Sequence, residues 1–175
     1  MQYQKENVRR AILKAAKSEF IDKGYQQASI RDIAEQAEVA VSNIYNYFSN
    51  KDELFAEVLK PILDKIEWGK KFLVDLDAED SLETVLNMDE HKKRLLAVAK
   101  FVEQNRELMQ LLMFEAYGSS LENYKEEIFD WYVSFWLEYV EAAEEQIEVS
   151  ELVIRNIAGV WYNLLEEILR YEVTG

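Results

Sequence analysis

Apolar residues recur at intervals of three and four along almost the whole chain, the period of a helix with one buried face, and no run alternates as a strand would. Val8, Ile12, Ala15, Ala16 and Phe20 share one face of a first helix predicted over Gln4–Lys23, with Gly24 as its stop. Ser29, with Asp32 three residues on, has the spacing of a capping box and opens a second helix with Ile30, Ile33, Ala34 and Ala37 on its buried face. Glu38, Val39 and Ala40 separate it from a short third helix, Val41 to Phe48, in which Ile44 and Phe48 stand one turn apart. Asn50 and Glu53 cap a fourth helix carrying Leu54, Phe55, Val58, Leu59, Ile62, Leu63 and Ile66. Pro61 lies inside it and cannot donate to the carbonyl of Glu57, which predicts a kink.

From Gly69 to Asn87 the pattern loosens, and the acidic stretch Asp75 to Asp80 predicts a surface loop before a short helix near Ser81. Helices are then predicted over His91–Gln104, Arg106–Tyr117, Ser120–Gln146 (with Ser119 and Glu122 at capping-box spacing) and from the Ser150 cap to about Tyr171. The last two have two apolar stripes each. Leu121, Tyr124, Ile128, Trp131, Tyr132, Phe135 and Tyr139 lie beside Phe129, Val133, Trp136 and Val140; Val153, Ile157, Val160, Leu164 and Ile168 lie beside Ile154, Ala158, Trp161, Leu165 and Leu169. A helix apolar round most of its girth must be covered twice, by its own subunit and by a partner, so these two helices are expected in a four-helix homodimer seam. Gly159, mid-helix, costs about 1 kcal/mol against Ala unless a neighbouring helix uses the space.

Composition sharpens the class. The 175 residues include no cysteine, so disulfides, thiol nucleophiles and thiolate metal sites are excluded. No stretch approaches the roughly 18 apolar residues of a membrane span, and a cytoplasmic protein without membrane contact is expected. The net charge of −14 argues against a polyanionic partner until its distribution is considered. Residues 1–51 carry +2 and residues 52–175 carry −16, as expected if only the first segment approaches a polyanion.

Two short helices joined by a three-residue turn have the form of a helix-turn-helix. With Ile44 and Phe48 turned to the core, Val41, Ser42, Asn43, Tyr45, Asn46 and Tyr47 project over the remaining arc. Asn can bond adenine bidentately, Val can meet a thymine methyl, and Tyr hydroxyls suit phosphates. From spacing alone, a surface hairpin with ordinary polar decoration is an equal reading.

The run from Ser29 to Phe55, with its Ile33-Ala34 pair, Ile44-Tyr45-Asn46-Tyr47-Phe48 and Lys51-Asp52-Glu53-Leu54, resembles the signature of the TetR family of transcriptional regulators. Together with the first helix the resemblance covers about a third of the chain. It implies an all-α protein with a three-helix helix-turn-helix DNA-binding domain over residues 1–50 and a larger helical-bundle domain for ligand binding and dimerisation over 51–175. It implies a homodimer on a near-palindromic double-stranded operator, repressing transcription until a small molecule releases it. Position by position, Ser29, Tyr45, Tyr47 and Lys51 match family positions that touch phosphates, and Arg31, Val41, Ser42, Asn43 and Asn46 match positions that read bases. Two residues depart from the family pattern. Glu38 stands where a turn glycine is usual, and Ala40 where a small hydroxyl residue caps the recognition helix. With the acidic total, these departures suggest the alternative of a non-enzymatic helical interaction module that has lost DNA binding.

Trp68, Phe72, Met109, Met113, Phe114, Tyr117, Trp131 and Phe135 fall on helices expected round the centre of the larger domain, where Met and aromatics make adaptable walls for a small apolar or aromatic effector. Ordinary core packing is the competing reading for each. No catalytic set, metal site or cofactor is expected. His91 is the one histidine, Glu141, Glu144, Glu145 and Glu148 have helical spacing but no histidine partner, and no glycine-rich phosphate loop occurs.

Overall fold

The computed structural model describes residues 2–77, 88–142 and 150–171. Its helices are α1 (Gln2–Gln27), α2 (Ile30–Gln36), α3 (Val41–Ile44), α4 (Lys51–Asp77), α5 (Met88–Gln104), α6 (Arg106–Phe114), α7 (Tyr124–Ala142) and α8 (Glu151–Arg170), with no strand among the described residues. The short helix expected near Ser81 lies outside them. The chain divides into two compact units, residues 1–64 with 107–124, and residues 65–106 with 125–175. Packing therefore does not divide the chain at residue 50. The first half of α4 belongs with the helix-turn-helix, and so does a segment more than forty residues further on.

In the first unit the predicted faces are buried: Ile12, Ala16 and Phe20 of α1, Ile33 and Ala34 of α2, Ile44 of α3, and Leu54, Phe55, Leu59 and Ile62 of α4. Withdrawing each large side chain from water stabilises the unit by about 1.5–3 kcal/mol. Phe20 and Phe55 meet edge to face at 4.9 Å, as do Tyr25 and Phe55. Arg9 pairs with Glu57 at 2.8 Å and Lys17 with Glu107 at 3.0 Å. Gly24 breaks α1 as expected, with φ 70° and ψ 169°. The positive φ favours glycine, and a β-carbon there would also displace the Glu115 carboxylate, whose Oε2 would lie 2.6 Å from it.

Helix α4 runs through Pro61 as one helix and continues to Asp77, into the acidic stretch expected as loop. Pro61 is exposed, so the carbonyl it cannot serve lies on a side that water reaches. Two other predicted boundaries move. Helix α6 stops at Phe114, short of Tyr117, and α7 begins at Tyr124 rather than Ser120. The intervening residues are tied down instead: the amide of Tyr25 donates to the Glu115 carbonyl (2.9 Å), that of Ser120 to Asp52 Oδ1 (2.8 Å) and that of Gly118 to Glu122 Oε2 (3.0 Å). Ser119 Oγ accepts from Leu121, not from Glu122, so the capping-box pair holds a tight turn here.

In the second unit α5 packs on α8, and Val133, Ile154 and Ala158 form a core with Phe129, Tyr132, Trp136, Leu137 and Val140 round it. Lys125 pairs with Glu166, and Arg155 bridges Asp130 (3.0 Å) and Glu151 (2.9 Å). The Tyr162 hydroxyl donates to the Lys125 carbonyl at 3.2 Å, and burial pushes this phenol well above its ordinary value. The stripe Val153, Ile157, Val160 and Leu164 on α8 stands exposed, while Ile154, Ala158 and Leu169 are buried.

Candidate nucleic-acid interface

Helix α2 starts where Ser29, in extended conformation, accepts the amide of Asp32 on Oγ at 3.4 Å. The reciprocal half of the capping box is taken by another residue. Oε1 of Glu19, on α1, accepts the Ser29 amide (3.1 Å), while Oε2 accepts from Nε2 of Gln36 (3.1 Å). Asp32 instead pairs with Lys23 at 2.8 Å, and Lys23 also reaches Glu19 at 2.9 Å. The hydrogen bond from Lys23 holds the Asp32 carboxyl below its usual range, and the bonds to Asp32 and Glu19 hold the Lys23 ammonium well above its own. Glu19 is 2% exposed and was not a candidate on sequence grounds. Its place on the stripe of Ile12, Ala15 and Ala16 was the available signal, since a carboxylate on a buried face needs partners.

The turn between α2 and α3 is a Schellman motif. The amide of Glu38 bonds the Glu35 carbonyl (3.1 Å), that of Val39 bonds the Ala34 carbonyl (2.9 Å), and Glu38 has φ 55°. A glutamate thus occupies the left-handed position that glycine takes without strain. Ala40 is the N-cap of α3 and supplies no side-chain bond.

Helix α3 ends at Ile44, not at Phe48 as expected. The amides of Asn46 and Tyr47 turn to the carbonyls three residues back, Asn43 (3.2 Å) and Ile44 (2.9 Å), so the last turn tightens. Ile44 and Phe48 are nevertheless buried. Val41, Ser42, Tyr45 and Asn46 are exposed, Asn43 and Tyr47 half-buried, and Nδ2 of Asn46 donates to Oδ1 of Asn43 at 3.4 Å. Arg31 is exposed on α2 and Ser29 half-buried at its cap.

Helix α4 opens on its predicted cap, with the Glu53 amide donating to Asn50 Oδ1 (2.8 Å) and Glu53 accepting from the amide of Ser49 (2.6 Å). That backbone bond holds the Glu53 carboxyl below its ordinary value. Lys51, beside the cap, is half-buried. Its Nζ donates to the Gln26 carbonyl at 3.2 Å and lies 4.6 Å from the centre of the Tyr25 ring, and burial lowers its pKa.

The residues proposed for an effector pocket fall in both units. Met109, Met113, Phe114 and Tyr117 belong to the first, Trp68, Phe72, Trp131 and Phe135 to the second. Met109 and Met113 are buried, and Trp131 stacks on Phe135 with centroids 5.6 Å apart. Trp68 and Tyr117, expected in the walls, are both more than two-thirds exposed, because neither lies on the buried face of its own unit. The side chains of Phe72 and His91 lie outside the described residues. No helix among the described residues is long and apolar enough to cross a membrane.

Residues 12–58 match the family model described as bacterial regulatory proteins, tetR family. The uncharacterized HTH-type transcriptional regulator YdgC of Bacillus subtilis is 29% identical over 110 residues, 61% of this chain and 53% of that protein. The HTH-type transcriptional regulator HbdR of an Aromatoleum strain is 39% identical over 62 residues, 35% of this chain and 27% of that protein. The chain thus spans about half the length of the first relative and about a quarter of the second. The crystal structure of native NalD, the secondary repressor of the MexAB-OprM multidrug efflux pump in Pseudomonas aeruginosa, has the same fold, with a TM-score of 0.67 at 22% identity over 98% of this chain and 89% of that one. Both relatives are named as HTH-type transcriptional regulators, and the helix-turn-helix built by α2 and α3 lies within the segment that matches the tetR family model.

Proposed function

We propose that the chain is a ligand-responsive transcriptional repressor of the cytoplasm that binds a near-palindromic operator as a homodimer. The observation that carries this reading is the division of labour along α3 and the tight turn that follows it: Ile44 and Phe48 are buried, while Val41, Ser42, Tyr45 and Asn46 face solvent with hydrogen-bonding or small apolar groups. Asn43 joins them as a base reader, with Arg31 from α2. Ser29, Tyr45, Tyr47 and Lys51 hold phosphates on either side. The exposed stripe of α8 supports the dimer, because a second copy of the same stripe would cover it. The stacked pair Trp131 and Phe135 suits a flat or apolar effector.

The test is electrophoretic retardation of duplex DNA from upstream of the chain's own gene. Retardation that weakens as salt rises is expected, and Lys51→Ala should weaken binding to all sequences alike and make the salt slope shallower by about 0.9. No retardation at low salt favours a helical interaction module without DNA binding, the reading to which the exposed Glu35 and the strained Glu38 beside α3 lend support.

A further inference from the structure

We infer, resting on the operator-binding reading above, that the recognition surface selects A·T pairs and that Asn46 makes the adenine contact. In the major groove guanine presents two acceptors, O6 and N7, best held by Arg or Lys, and cytosine presents an amino donor, best held by Asp or Glu. From Val41 to Ser49 the chain has none of these four residue types. Adenine presents an acceptor, N7, beside a donor, N6, which a side-chain amide matches with both its ends; thymine adds a methyl that a small apolar side chain can meet. Asn46 and Val41, both exposed, are groups of these two kinds.

The bond between the two asparagines makes Asn46 the adenine reader. Because its Nδ2 donates one hydrogen to Oδ1 of Asn43, the amide keeps one N–H and its own carbonyl oxygen for an incoming base. One donor beside one acceptor is the complement of adenine N7 and N6. The same bond restricts the rotamers of Asn46 before DNA arrives, which lessens the ordering cost of binding. On α2 and α3 together Arg31 is the single basic residue, so a guanine in the half-site falls to Arg31 and not to the recognition helix.

Selection of duplexes from a random pool by the full chain, followed by binding assays on the enriched sequence, tests this. Adenine should be enriched at one fixed position of each half-site, and Asn46→Ala should cut the discrimination there roughly tenfold while leaving the other positions unchanged. Asn46→Arg should move the preference at that same position from adenine to guanine. Both variants are at an exposed position and should keep the helical circular dichroism of the parent. A G·C pair at the position sensitive to Asn46→Ala, or a uniform loss of affinity for all sequences, overturns the assignment while leaving operator binding intact. Absence of any retarded duplex overturns the operator reading and this assignment together.

Discussion

The backbone amide of Ser29 donates to Oε1 of Glu19 at 3.1 Å, so the start of α2 is fixed by a buried carboxylate on α1. Lys23 and Gln36 complete the set of donors round that carboxylate. Replacing Glu19 by Ala leaves the Ser29 amide and the Gln36 side chain without their acceptor, at about 1–3 kcal/mol for each group that water does not reach. Glu19→Gln keeps the shape and one acceptor but loses the attraction to Lys23, and should cost less. Thermal unfolding followed by circular dichroism orders the three proteins; equal stability of all three would show that Glu19 does not hold α2.

Acid should loosen this same region. The Asp32 and Glu53 carboxyls are held below their ordinary values by the Lys23 hydrogen bond and the Ser49 amide respectively. A carboxyl with a depressed folded pKa contributes stability that is fully present above its unfolded value, about 4, and is lost as pH falls through the folded value. Lys23, raised in the folded chain, gives the opposite dependence at the alkaline end, where its contribution is lost as pH rises through the folded value. Urea midpoints should therefore be insensitive to these carboxyls from pH 7 down to about 5 and fall below about 4. Glu53→Gln should flatten that fall, and an unchanged acid limb in the variant would remove Glu53 from the account.

Glu38 and Ala40 each weaken the turn that aims α3. Glu38→Gly relieves a left-handed conformation that costs a non-glycine residue about 1–2 kcal/mol, and also removes a negative charge beside the surface proposed to meet phosphate. Ala40→Ser supplies a side-chain oxygen for the free amides of α3, about 0.5–2 kcal/mol in comparable caps. Both variants should raise the melting temperature. Glu38→Gly should also raise DNA affinity at low salt more than at high salt, and equal gains at both would show that the charge plays no part.

Elements with one strong period were legible in the sequence. The spacing of Ile44 and Phe48 alone points both to the core, where they lie, and Gly24 reads as a stop from its residue type, in keeping with its φ of 70°. Boundaries set by long-range bonds were not. Nothing local in Ser120 to Asn123 says that the Ser120 amide will meet Asp52, sixty-eight residues away, so the pattern alone extends the helix too far. Likewise the spacing of Glu19 puts it on the buried face of α1, but its partners Ser29 and Gln36 are set only when α2 packs over it. Residue type alone brings Trp68 and Tyr117 to an effector pocket, whereas exposure depends on the backbone that carries them, an outward face of α4 for Trp68 and the turn after α6 for Tyr117.

The exposed stripe of α8, and not Gly159, is the place to test the dimer seam. At 100° per residue, Val153, Ile157, Val160 and Leu164 lie within an arc of about 60° on α8, and all four are exposed. Gly159 lies about 130° from the centre of that arc, beside Arg155 and Asn163 rather than the stripe, and a β-carbon built on it meets nothing within 4 Å. The expectation that a neighbouring helix uses the space at Gly159 is therefore not met within the chain, and Gly159→Ala should stabilise α8 by about 1 kcal/mol without changing assembly. Ile157→Asp should act oppositely. In an isologous interface the same patch contributes from both subunits, so one substitution puts two charges into one apolar seam. Sedimentation equilibrium should show the dimer dissociation constant rising roughly tenfold or more, with the helical content of each chain retained. A dimer unchanged by Ile157→Asp would mean that this stripe is not the seam, whatever the state of the DNA-binding unit.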